Sequence, residues 1–240
     1  MKKNLSKKRS AFSLIELSIV LIIIGLLIAG VTGGASLIKS SELRSVITEA
    51  RGWAIAVNSF YNQFDALPGD YSTALGGSEV GDADGTIEYY NTDTIAEGRN
   101  AWVQLKAAAI LDSNVLSAAT SVASLGTQVT FGTNIPASKI KSSGWDFDYN
   151  ATSLQNVVVL SGTIATGTTY SLVPAVESNS YATGAVTPID ALSIDSKFDD
   201  GDAEEGKIRG VKTACHTTST YTTATTTKAC ALSYQVDVNS

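Results

Sequence analysis

Residues 12–31 read Phe12-Ser13-Leu14-Ile15-Glu16-Leu17-Ser18-Ile19-Val20-Leu21-Ile22-Ile23-Ile24-Gly25-Leu26-Leu27-Ile28-Ala29-Gly30-Val31, and no charged side chain follows Glu16 until Lys39. A helix rising about 1.5 Å per residue would carry this stretch roughly 30 Å, the depth of a bilayer's hydrocarbon core. Ahead of it lie Lys2, Lys3, Lys7, Lys8 and Arg9, with no acid among them. Cations on that flank predict a cytoplasmic N-terminus and an exported remainder. A secretory signal peptide would place small residues after the apolar run, and Ala29-Gly30-Val31 or Gly33-Gly34-Ala35 would serve. Glu16 argues for a different reading. A carboxylate within an apolar span is expensive, so it either snorkels to the interface or has a partner.

The charge of the chain divides at the same place. Of 17 basic residues, five fall in the first nine positions; from Phe12 onward 12 cations face 23 anions, a net of −11. A body that acidic offers no basic face to a nucleic-acid backbone, which excludes that class of partner. With 240 residues, 44% of them hydrophobic and 8% aromatic, the chain has material for a packed core in one or two domains. Its single His216 and two cysteines, Cys215 and Cys230, leave little for a zinc site or a His-dependent triad.

Basic leader, small residue, then Phe-Ser-Leu-Ile-Glu-Leu and an apolar run resemble the class III signal of type IV pilins and type II secretion pseudopilins. The resemblance is tight over residues 1–35 and loose beyond. It implies that a prepilin peptidase cuts between Ala11 and Phe12 and methylates the new amino group of Phe12. Two features depart from the pattern: Ala11 stands where the family usually has Gly, and the apolar span lacks a helix-breaking Pro. Gly25, Gly30, Gly33 and Gly34 are its weak points instead. Under this resemblance Glu16 acquires a partner, the Phe12 amine of a neighbouring subunit. Pairing relieves much of the cost of the buried carboxylate and sets the axial register between subunits.

Past Ile38 the apolar character becomes one-sided. Leu43, Val46, Ile47, Ala50, Trp53, Ala54, Val57, Phe60, Tyr61 and Phe64 recur at helical steps, with Glu42, Arg44, Glu49, Arg51, Asn58 and Asn62 largely off the stripe. Leu67-Pro68-Gly69-Asp70 is the stop. One helix from Ser13 to Phe64 would extend roughly 78 Å at 1.5 Å per residue. The expected organisation is a cleaved leader over 1–11, a transmembrane and assembly half-helix over 12–38, an amphipathic half-helix over 39–66, and a globular domain over 67–240.

In that domain, residues 71–96 read as a glycine-rich loop and 100–111 as a short helix capped by Asn100. Strand patterns occupy 128–131, 145–149, 156–161, 169–173, 207–213 and 231–238. Thr187-Pro188-Ile189-Asp190 opens a further helix that reaches Phe198, with Thr as cap, Pro at the first position and Asp closing a capping box. The fold class is α+β: one long N-terminal helix on an antiparallel sheet with short inserted helices, as in pilins. In an exported chain, Cys215 and Cys230 point to a disulfide rather than a metal pair, and the family often closes such a C-terminal loop. The enclosed Thr217–Thr227 stretch reads as a solvated loop or hairpin, or as a contact or glycosylated surface.

Two acidic clusters are candidates for calcium, which oxygen ligands suit. Asp82, Asp84 and Glu88 match the middle of an EF-hand loop, although Val80 and Asn91 fill both outer ligand positions. Asp199, Asp200 and Asp202 follow a helix C-terminus, where their charge opposes the helix dipole. No catalytic constellation is visible; a carboxylate-only mechanism such as glycoside hydrolysis would need an acid/base pair that the loops do not display. By its resemblance the sequence reads as a non-enzymatic structural subunit of a type II secretion pseudopilus or type IV pilus. The resemblance implies prepilin peptidase, other pilin-like subunits and an inner-membrane assembly platform as its partners. It starts in the inner membrane, with the C-terminal domain in the periplasm, and ends in a pseudopilus or surface pilus. The alternative is a non-polymerising, single-pass anchored periplasmic binding protein.

Overall fold

The computed structural model describes residues 13–88, 97–112, 115, 131–133, 135–150, 153–162, 184–211 and 214–237. Its elements are α1 (Leu14–Phe64), α2 (Glu97–Ala107), β1 (Ser143–Asn150), β2 (Gln155–Gly162), α3 (Pro188–Phe198), β3 (Ile208–Val211), β4 (His216–Thr217), β5 (Thr220–Tyr221) and β6 (Ala231–Gln235). The chain divides into two compact units between Ser41 and Glu42.

In the first unit, α1 carries its apolar residues outward. Leu14, Leu26, Val31 and Leu37 are all exposed, and none of the apolar window is buried. The helix is long and apolar enough to cross a membrane. Backbone satisfaction is internal to a helix, so such a surface is compatible with lipid or with other apolar helices.

In the second unit, the rest of α1 turns a stripe into the core. Leu43, Val46, Ile47, Ala50, Val57 and Phe60 are buried, while Ile55 stays exposed. Trp53 meets Trp102 of α2 edge-on with centroids 5.1 Å apart, and Trp102 lies against Phe147 of β1 at 4.2 Å. The sheet is antiparallel throughout, in the order β1-β2-β6-β3. Trp145, Phe147, Val158, Leu160, Leu232 and Ile208 join the main core with the α1 stripe. Their alternates Val157, Val159, Val211 and Ala231 form a second, smaller cluster, as the period of two requires. The α+β arrangement of one long N-terminal helix on an antiparallel sheet with short helices is therefore present.

α1 stops at Asp65, which adopts a left-handed φ of 52°, and Pro68-Gly69-Asp70 then makes the turn. Gly69 is required there: at φ +95°, a Cβ would sit 2.4 Å from the Glu97 carbonyl oxygen. Thr187 caps α3, accepting from the Asp190 amide and donating its hydroxyl to the Asp190 carboxylate at 2.8 Å.

One expectation needs correction. α2 begins at Glu97, so Asn100 lies within the helix; its side chain instead accepts the amide of Glu79 at 3.3 Å, capping a loop rather than the helix. Glu49 lies beside the apolar stripe and is half-buried. Its carboxylate accepts from the Trp145 indole at 2.8 Å, the Ser138 hydroxyl at 2.7 Å and the Lys139 amide at 2.9 Å, which ties α1 to the start of the sheet. The threonine-rich stretch contains a two-stranded hairpin, β4–β5, one of the forms expected for it. The expected strands at 128–131 and 169–173 lie outside the described residues, apart from Phe131, which bridges to Ile135.

Candidate functional site

The processing pair, Ala11 and Phe12, lies outside the described residues. Glu16 is described, and it occupies the first turn of α1. Its Oε2 accepts the backbone amide of Ser13 at 2.8 Å, while the Ser13 hydroxyl accepts the amide of Ile15 at 3.3 Å. This is a reciprocal cap of the S-x-x-E kind, and it satisfies two amide donors that a helix N-terminus leaves open. The pattern was present in the sequence at Ser13 and Glu16. Reading Glu16 as an interfacial or intermolecular charge passed over it. Within one chain, then, the carboxylate caps its own helix at the edge of an exposed apolar sleeve.

The two acidic regions are built differently. In the first, Asp82, Asp84 and Glu88 come within reach of one another, and a second grouping unites Asp82 with Asp70 and Glu97. Asp70 and Glu97 are buried. Asp70 accepts the amides of Asp84 and Gly85, each at 3.0 Å; Glu97 accepts those of Asp82 at 3.2 Å and Glu88 at 3.3 Å. Gln104 and Asn156 extend the pattern by accepting from Gly69 at 2.6 Å and Ile87 at 2.7 Å. Buried side chains from α2 and β2 thus hold a loop that has no ladder of its own. Burial pushes Asp70 up to about 6 and Glu97 up to about 8; backbone donors oppose the shift and neighbouring carboxylates add to it. Sequence reasoning missed both residues, because no spacing rule links Asp70 to a carboxylate 27 positions away.

In the second region, Asp199 and Asp200 group with the buried Asp195; Asp202 is outside that grouping. Asp195 accepts from the Tyr221 hydroxyl at 2.8 Å and the Gly201 amide at 3.2 Å, and burial pushes it up to about 6. Asp199 accepts the amides of Lys207 and Ile208, folding the loop back to β3. Gly206 permits this closure: at φ +72°, a Cβ would overlap the Asp199 carboxylate. Asp200 and Asp202 each accept an amide two residues on, at 2.8 and 3.0 Å. Both oxygen-rich donor sets suit a hard cation such as Ca²⁺, and their hydrogen bonds also account for the loops without one.

A disulfide joins Cys215 to Cys230 with a Cα–Cα distance of 4.6 Å, closing the loop that carries β4 and β5. His216 Nδ1 lies 2.8 Å from the Thr218 carbonyl oxygen, a local loop contact. A buried pair of another kind lies under β1, where Asp146 accepts from the Trp102 indole at 3.2 Å. Burial pushes Asp146 up to about 6 against the opposing charge of Arg99.

These features define an α+β chain whose N-terminal helix carries an exposed apolar surface and an acidic residue that caps its start. Residues 6–32 match the family model described as the prokaryotic N-terminal methylation motif. No curated protein and no solved structure matches the chain. The matched segment contains Ala11, Phe12, Glu16 and most of the apolar run.

Proposed function

We propose that the chain is a structural, non-enzymatic subunit of the pilin-like kind, processed by prepilin peptidase between Ala11 and Phe12 and methylated on Phe12. The processed subunit assembles with other pilin-like subunits, through an inner-membrane platform, into a type II secretion pseudopilus or a type IV pilus. The observation that carries this reading is the methylation motif at 6–32 placed on a helix whose apolar surface is exposed all round. Extraction from the membrane needs a replacement apolar environment, and packing of equivalent helices supplies it. The N-terminus starts in the cytoplasm and the unit beginning at Glu42 in the periplasm, in line with the leader cations.

Glu16 is the assembly residue in this account, paired with a neighbour's Phe12 amine in place of its own helix cap. Glu16→Leu is expected to leave membrane insertion intact and to reduce sedimentable fibres at least tenfold. Wild-type fibre yield from that variant would contradict the role.

A further inference from the structure

The body from Phe12 onward is strongly acidic, yet three of its 12 cations line a single groove. Arg44, Thr48 and Arg51 of α1 face Lys197 and Phe198 at the end of α3 across about 510 Å³, with Ile47 in the groove wall. Arg51 lies over the Phe198 ring at 5.7 Å. Among the described residues, Arg44, Arg51 and Lys197 have no carboxylate within ion-pair distance. Three like charges around one groove repel one another, and an acidic occupant would relieve that repulsion.

The same unit holds a matching surface. A cleft of about 560 Å³ beyond the end of α1 is lined by Asp65, Asp70, Asp84 and Asp237, with no cation in its wall. Asp65 and Asp84 are exposed at its mouth, and Ala83 is exposed beside them. Thr48 and Asp65 are 17 positions apart, or roughly 25 Å at 1.5 Å per residue, so one molecule cannot join its own two surfaces locally. Two copies can.

We propose that the Arg44/Arg51/Lys197 groove of one subunit takes the Asp65/Asp84 rim of another copy of this chain. The contact is heterologous: each subunit offers a groove to one neighbour and a rim to the next. Complementary patches at different places on one molecule propagate into rings or open helical arrays rather than closed dimers. The inference deepens the assembly reading above by naming a contact between the globular units. Being electrostatic and surface-exposed, it weakens with salt.

Cross-linking of the full-length chain in bacterial cells tests it. Thr48→Cys and Ala83→Cys alter neither patch's charge, and the native cysteines are already paired. With both substitutions in one chain, mild oxidation is expected to give a ladder of oligomers. Two singly substituted chains expressed together are expected to give dimers only. Arg51→Glu should reduce the cross-linked fraction at least tenfold, and adding Asp65→Arg should restore it. No cross-link in folded protein, equal self-cross-linking of either single variant, or failure of Asp65→Arg to rescue would each overturn the proposal. So would an Arg51→Glu effect confined to sedimentation with anionic lipid vesicles. The N-terminus of the same samples separates the two claims. Processing at Phe12 without a ladder sinks this contact alone, whereas a ladder from chains that keep Met1 sinks the pilin-like reading alone.

Discussion

α1 is one helix with two economies. Before Ser41 its apolar side chains are all exposed; after Glu42 the same kinds of residue are buried in a stripe against α2 and the sheet. The difference lies in the pattern of the sequence rather than in its hydrophobicity. An apolar surface all round has no inside to face and suits lipid or like helices, whereas a stripe commits the helix to one core. Charge follows the same division. Glu16 closes the start of the first half by capping its own helix, and Glu49 in the second half fastens the helix to the Trp145 indole.

The comparison can be broken most forcefully by cutting side chains in each half. Phe60→Ala removes a fully buried ring that contacts Phe64 and Tyr71, and should destabilise the globular unit by about 3–5 kcal/mol. Ile23→Ala, at an exposed position, should leave the urea midpoint of that unit unchanged. Equal losses from both would erase the distinction between the halves. Next in size, replacing Cys215 and Cys230 together by Ser opens a loop with a sequence separation of 15 and should cost about 3 kcal/mol by the loop-entropy relation. Unfolding followed with and without reductant reports it, and an unchanged midpoint would mean that the denatured chain gains nothing from release.

The remaining test of the globular half is its dependence on pH. Glu97 rises from 4.5 to about 8 on folding, and Asp70 and Asp195 rise from 3.8 to about 6, so the folded state holds protons that the unfolded chain releases. Their contribution is complete below the ordinary carboxylate range. It declines as pH rises through about 6 for the two aspartates and about 8 for Glu97. Thermal unfolding of the globular unit should therefore occur at steadily lower temperature across that interval, and Glu97→Gln should flatten the upper part of the decline. A midpoint that climbs over the same interval would reverse the sign and contradict the assignment.

Long-period features were legible in the sequence. α1 and its stop, α3 with its Thr187 cap, and strands β1, β2, β3 and β6 all follow from periodicity and turn chemistry. Features that depend on distant partners were not. Asn100 has the chemistry of a cap, but Glu79 claims its side chain; Glu49 falls beside the stripe, but an indole on β1 needs an acceptor. The same limit concealed Asp70 and Glu97 behind the more conspicuous Asp82, Asp84 and Glu88. A buried carboxylate that gathers loop amides leaves no local signature, whereas exposed acids two apart do. The N-terminal motif is the opposite case, since leader charge, Phe12 and Glu16 are all contiguous.

The most direct test of the account is the N-terminus of the protein recovered from its cellular membrane and from any sheared fibre fraction. Mass spectrometry is predicted to find a chain that begins at N-methylated Phe12 and lacks residues 1–11. An intact chain that begins at Met1 in both fractions would contradict processing, and with it the assembly of this helix into a fibre.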